Sequence, residues 1–227
     1  MAKTKVDQSE EPSIRERILT EAMHLIASKG YEATSIQAVA DAVGIRKQSL
    51  LYHFPNKENL RVCVIEQLVT RWNDLLPKVM LAATNSRGRF EAVMRTVVEF
   101  FAEDPDRARL LLREVLDRPE EMRRIMMLHS QVWSAAVRDY IQDGQELGSV
   151  DPNLDPEAYI LHILTLVLSG LATFSSMSAV LEQGASSQKH KSELDRYVDE
   201  MMRIAQASLF VKRSADGSRK TEKSTPQ

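Results

Sequence analysis

The sequence predicts an all-α fold, with an N-terminal three-helix domain built on a helix-turn-helix and a larger C-terminal helical domain. Three observations lead there. Apolar residues recur at three- and four-residue spacing over most of the 227 residues. Alternating, β-rich stretches are missing, and Pro or Gly stands near the boundaries between periodic segments. The length suffices for two buried cores. The expected division is a mobile arm over 1–11, the helix-turn-helix domain over 12–56, the helical domain over 57–211 and a mobile tail over 212–227. Both ends are polar and poor in large apolar groups.

Each element has a local reason. Ser13 and Glu16 form a capping box after Pro12, and Ile14, Ile18, Ala22, Leu25 and Ile26 mark the core face of a first helix. Thr34 and Gln37 repeat the S/T-x-x-E/Q pattern, so a short helix is expected from Thr34 or Ser35, with Ile36, Val39, Ala40 and Val43 facing inward. Gly44 ends it at a sharp turn. A second short helix is expected from about Arg46 to His53, crossing the first steeply, with Ile45, Leu50 and Phe54 as its apolar contacts. Asn56 opens a long helix carrying Leu60, Val64, Leu68, Trp72 and Leu75, which Pro77 is expected to kink or end. Further helices are expected over Arg89–Glu103, Pro105–Asp117 and Pro119–Leu147, then a polar loop, a helix from Pro156, and a last helix over Ser192–Val211.

The segment Thr34–Leu60 is the most informative. Arg46, Lys47, Gln48, Ser49, Tyr52 and His53 lie among the apolar positions of its second helix, and no acidic residue occurs between Asp41 and Glu58. Arg, Lys and Gln suit base edges in the DNA major groove, while hydroxyls, His and Lys suit phosphate oxygens. Lys57 and the amides opening the next helix add an anion site. Thr34, Ser35 and Gln37, at the start of the preceding helix, complete the candidate DNA contacts. The competing reading is a solvated polar helix on an ordinary bundle.

Residues Ser13 to Leu60 resemble the DNA-binding domain of the TetR/AcrR family of bacterial transcription regulators. The resemblance rests on the Lys29-Gly30-Tyr31 helix exit, Thr34-Ser35, Ala40 and Gly44 around the turn, and the run Leu50, Tyr52, His53, Phe54, Lys57, Glu58, Leu60. Three positions depart from the family pattern: Leu51 stands where a Tyr is usual, Gln48 where a small residue or Pro is common, and Arg46 where a Ser often caps the helix. These departures bear on the operator sequence rather than on the docking mode. Arg46 also cannot accept a hydrogen bond from the helix amides.

Composition fits a local rather than a general basic surface. The net charge of −2 excludes a basic nucleic-acid coat protein, while phosphate attraction depends on charges within about 8 Å. The lone Cys63 has no internal disulfide partner and reads as a buried structural thiol. No cationic, hydrophobic leader opens the sequence, so a cytoplasmic location is expected. Ala158–Leu181 is uncharged and long enough to cross a bilayer. Its Ser, Thr and His content, with no Lys or Arg between Arg138 and Lys189, favours a helix buried between subunits. The cations of the tail, Lys212, Arg213, Arg219, Lys220 and Lys223, read as solvated rather than DNA-bound.

A single recognition helix covers few base pairs, so helix-turn-helix proteins commonly dimerise to meet successive grooves about 34 Å apart. Candidate interface residues are Leu161, Leu164, Leu168 and Leu171 on one helix and Leu194, Tyr197, Met201 and Ile204 on the other, with Ser169, Gly170 and Ala172 permitting close approach. The resemblance implies a four-helix dimer interface from the last two helices, and both helices serving the monomer's core is the alternative. Trp72, Met94, Phe101, Met126, Trp133, Phe174 and Met177 are candidate walls of an apolar effector pocket, with His129 and His162 orienting a polar group. Each can equally be ordinary core. No phosphate loop, G-x-S-x-G or H-E-x-x-H motif occurs, so no catalytic residue, cofactor or metal is assigned; His190 and Glu193 alone are weak for metal. The reading is a homodimeric, ligand-responsive repressor that binds double-stranded operator DNA and answers a small, largely apolar effector. A ligand-independent architectural DNA binder, or a helical carrier or enzyme, is the alternative.

Overall fold

The computed structural model describes residues 12–82, 86–179 and 192–211. Ten helices occur among them: α1 (Ile14–Lys29), α2 (Ile36–Val43), α3 (Lys47–His53), α4 (Lys57–Ala82), α5 (Ser86–Glu103), α6 (Pro105–Asp117), α7 (Pro119–His129), α8 (Gln131–Glu146), α9 (Pro156–Met177) and α10 (Glu193–Leu209). No strand occurs among the described residues; one antiparallel bridge pairs Val150 with Phe210. Asp151 N–H donates to Leu209 O at 3.0 Å, which fastens the end of α10 to the α8–α9 loop. The expected arm, tail and His190 lie outside the described residues.

Local chemistry sets the first three helices. The Ser13–Glu16 capping box forms as expected. At α2 the cap is Ser35, whose hydroxyl accepts from Ala38 N–H at 3.0 Å, and no Thr34–Gln37 box forms. Thr34 instead donates to Gly30 O at 2.8 Å, while Gln37 reaches Asp41 at 2.6 Å. Ile18, Leu19, Ala22 and Ile26 of α1 meet Val39, Ala40 and Val43 of α2 and Leu50 and Phe54 beside α3 in one buried core. Arg17 Nη2 donates to Val43 O at 2.7 Å, satisfying a carbonyl at the end of α2.

Two expectations change in the helical body. Of the two outcomes expected at Pro77, a kink or an end, the end does not occur: helix α4 runs through Pro77 to Ala82, although an interior proline costs about 3 kcal/mol. Leu76, next to the proline, and Trp72, a little over one turn before it, are buried, and each such side chain contributes about 1.5–3 kcal/mol. The run expected as one helix over Pro119–Leu147 divides at Ser130. There the Ser130 hydroxyl donates to Met126 O at 2.6 Å and Gln131 Nε2 to Met127 O at 3.0 Å, so side chains compete for the last-turn carbonyls. The most extensive packing joins α6 to α9, and α6 also packs on α1.

At the junction of α1, α4, α6 and α7 sits Arg61, 1% exposed. Its guanidinium donates to Glu58 and to the buried Glu114 and pairs with Glu121. Tyr31 Oη donates to Glu58 Oε2 at 2.7 Å. Arg118 lies 4.3 Å from the Tyr31 ring centroid and 3.8 Å from Glu114. A buried cation is stable only when its hydrogen-bonding capacity is met, and the carboxylates that meet it come from three different helices. Arg61→Ala is expected to lower stability by about 3–5 kcal/mol, because it leaves the buried Glu114 without its hydrogen-bonded cation and with only Arg118 at 3.8 Å. Urea unfolding reads the change, and an unaltered midpoint would contradict it.

The same cluster gives a signed pH dependence. Hydrogen bonds from Arg61 hold the Glu58 carboxyl down to about 2, against an ordinary 4.5. A depressed carboxylate stabilises the fold above its unfolded pKa, and that contribution is lost as pH falls through the folded value. Burial pushes Glu114 the other way, with Arg61 pulling it back only in part. Its charged form therefore weakens the fold as pH rises through its raised pKa. Glu58→Gln is expected to flatten the acid loss of stability between pH 4.5 and about 2 relative to wild type. Acid titrations of the two proteins with parallel slopes would refute this.

Candidate functional site

The turn that presents α3 depends on Gly44, which adopts a left-handed conformation at φ 78° and ψ 34°. A Cβ would strain that backbone. With Leu50 buried beneath, Arg46, Lys47, Gln48, Ser49, Tyr52 and His53 are all exposed, Tyr52 at 87%. Arg46 makes no side-chain cap, as its chemistry predicts, so the first amides of α3 face outward without a side-chain acceptor. Ser35 and Gln37 are exposed on the neighbouring helix. Of the nearby carboxylates, Glu58 is paired with Arg61, and Asp41 accepts from the neutral amide of Gln37.

Two expected contacts stand differently. Thr34 is 3% exposed and its hydroxyl is committed to Gly30 O, so it braces the α1–α2 connection and is not offered to DNA. Lys57 is half-buried, with Nζ 4.1 Å from the Tyr31 ring centroid and 3.3 Å from Glu32 O. Asn56 Oδ1 accepts from Asn59 N–H at 2.7 Å, which occupies one of the opening amides of α4.

A second feature lies in the body. Leu76 and Met80 of α4, Phe90, Val93, Met94 and Val97 of α5, Trp133, Val137, Tyr140 and Ile141 of α8, and Ile160, Ile163, Leu164 and Val167 of α9 enclose a cavity lined almost wholly by carbon. It holds about 660 Å³ of unfilled space, counting open solvent at its mouth. Arg89, Tyr159 and Leu209 complete the wall. Tyr159 Oη donates to Ala205 O at 2.8 Å, and burial pushes its phenol pKa up.

Of the residues expected to line such a pocket, Met94 and Trp133 do. Trp72 and Phe101 are core, with ring centroids 5.9 Å apart. Phe174 packs on Tyr197 at 5.5 Å. His129 lies 3.6 Å from Glu66, Met126 packs on the core from α7, and His162 and Met177 are exposed. The wall residues overlooked in the sequence carry a signal of their own. Positions 90, 93, 94 and 97, 133, 137, 140 and 141, and 160, 163, 164 and 167 are single helix faces. Three such faces without a mutual filling side chain mark a cavity.

The candidate interface residues also divide. Leu171 and Met201 are buried within the chain at 4% and 2% exposure, and Leu164 lines the cavity. Gly170 is where Tyr197 lies so close that a Cβ would meet its hydroxyl at 1.9 Å, so this small residue serves α9–α10 packing inside the chain. Leu168, Leu194 and Tyr197 are partly buried, whereas Leu161 and Ile204 stay 64% and 46% exposed. Helix α9 has the length and apolarity to cross a bilayer, yet it packs on α5, α6 and α8.

Cys63 is half-buried rather than fully buried, and burial raises its thiol pKa. His24, Asp104 and Asp106 place their ligand atoms within 4.8 Å of one another. Arg107 and Arg109 already pair with those carboxylates, so the cluster reads as an ion network tying α1 to α6.

An exposed cationic helix set by a glycine turn on a three-helix core defines a helix-turn-helix DNA-binding regulator. The family profile for bacterial regulatory proteins of the tetR family matches residues 18–62, and that for the tetracyclin repressor-like C-terminal domain matches residues 83–170. The chain belongs to the TetR family of transcriptional regulators. It is 28% identical over 109 residues to the biofilm operon icaADBC negative transcriptional regulator IcaR of Staphylococcus aureus (strain Newman), covering 48% of this chain and 56% of that protein. To the transcriptional regulator RutR of Escherichia coli (strain K12) it is 28% identical over 103 residues, covering 45% and 48%. The chain thus spans about half the length of these relatives. In fold it resembles the fatty acid degradation regulator FadR from Bacillus halodurans, with TM-score 0.68, 17% identity and coverage of 87% and 97%. The ketosteroid transcriptional regulator KstR2 of Mycobacterium tuberculosis gives 0.66, 16%, 89% and 98%.

Lys47→Ala and Gln48→Ala are expected to change sequence preference, each good bidentate base contact being worth about 1–3 kcal/mol of discrimination. Selection from random duplexes by wild type and variants checks this, and one shared motif would exclude both residues as base readers.

Proposed function

We propose that the protein is a homodimeric cytoplasmic repressor, released from its operator by a small, largely apolar effector. In this reading α1–α3 are the DNA-binding domain, the helices from α4 onward are the regulatory and dimerisation domain, and the exposed apolar positions of α9 and α10, Leu161 and Ile204 among them, meet a second copy. The observation that carries the reading is the path of α4. Its N-terminal end holds Lys57 beside the cationic helix, and its other end supplies Leu76 and Met80 to the cavity. At 1.5 Å per residue this helix is about 39 Å long. The negative regulator among the relatives supports repression, and the fatty acid and ketosteroid regulators among the structural neighbours support an apolar effector.

A ligand shifts a two-state equilibrium only by its differential affinity for the two forms. An effector that favours a form whose α3 helices no longer match the groove spacing releases DNA, and operator must then weaken effector binding by the same factor. The test is a gel-shift assay with DNA flanking the protein's own gene, followed by calorimetric titration of an effector with and without operator. Retardation of that DNA and a weaker effector affinity in its presence are expected; no retardation even at low salt would overturn the reading. Lys57→Ala is expected to weaken binding to all sequences and reduce the salt slope by about one, and an unchanged slope would remove Lys57 from the phosphate contacts.

A further inference from the structure

Among the described residues, two buried side-chain polar atoms have no hydrogen-bond partner, Asn73 Oδ1 and Trp133 Nε1. Trp133 lines the apolar cavity and Asn73 does not. An indole nitrogen is a donor only, with no flip or tautomer that could remove the need for an acceptor. Leaving a buried donor unpaired costs about 1–3 kcal/mol. The other polar groups of the wall are engaged: Tyr159 Oη bonds Ala205 O, and Arg89 and Tyr140 have partners of their own. Among the described residues of the wall, Trp133 therefore carries the donor left without a partner; its indole ring lines the cavity, while Nε1 itself is covered.

We infer that the effector is an apolar molecule bearing a hydrogen-bond acceptor, a ketone, ester or ether oxygen, which Trp133 Nε1 engages inside the cavity. The inference rests on the cavity being the effector site. Because Trp133 is 6% exposed and Nε1 is covered in the free chain, the acceptor reaches it through a turn of the indole ring.

The test uses two probes of matched size, 2-undecanone and 1-undecene, with ¹⁵N-labelled protein. The chain has two tryptophans, and the indole signal of Trp133 is the one absent from Trp133→Phe. The ketone is expected to move that signal downfield and to bind wild type about tenfold more tightly than Trp133→Phe, in line with one buried hydrogen bond. The alkene should bind both proteins alike without the downfield shift. Should the variant fail to fold, sequential assignment of the labelled wild type identifies the Trp133 indole signal, and its shift with the two probes decides. Equal ketone affinities with no downfield shift would overturn the role of Trp133 and leave the cavity as effector site. Binding of neither probe to wild type would overturn both.

Discussion

The arrangement of the molecule turns on one buried charge. Arg61 lies on the apolar face of α4, flanked by Leu60, Val64 and Ile65, all at 2% exposure or less. Its side chain is tolerable there only because Glu58, Glu114 and Glu121 converge on it. Hydrophobic contacts tolerate small slips, whereas a buried guanidinium demands its acceptors in a narrow geometry. Glu114 and Glu121 belong to α6 and α7, and Glu58 also holds Tyr31 at the end of α1. The cluster therefore fixes where the first three helices stand relative to the body.

That placement matters because α4 is shared by both sites. The exposed face of α3 leads directly into it, and the cavity closes on its distal half. The unpaired cations at α3 and the paired cations of the junction stand in different settings. Arg46 and Lys47 make no ion pair among the described residues, while Arg61 joins α4 to α6 and α7 through Glu114 and Glu121, and Arg118 of the junction lies against Tyr31. In the proposed mechanism an effector acts by biasing the seat of α4 between these two sets.

Much of the fold was legible because it is written in local chemistry. The Ser13–Glu16 box, the Gly44 turn, the prolines that open α6 and α9 and the apolar period of α4 need only neighbouring residues to be read. Errors arose where distant packing decides. Pro77 stays inside its helix because buried neighbours outweigh its missing hydrogen bond. Thr34 was read as a cap, yet Ser35 takes that place once Gly30 O claims the Thr34 hydroxyl. The exposed face of α3 was readable as a row of polar side chains over Leu50. The cavity is less so, since its wall is set by the faces that three helices turn to one another and not by residue type. Arg61 went unnoticed for the same reason: its carboxylate partners on α6 and α7 are 53 or more positions away.

Native-state hydrogen exchange on wild type and Arg61→Met tests this dependence most directly, because Met keeps the bulk of the stem and removes the charge. If Arg61 seats the first three helices, amides of α1–α3 lose more protection in the variant than those of α8 and α9. Protection in α1–α3 that matches wild type, or a loss spread evenly over every helix, would contradict that role.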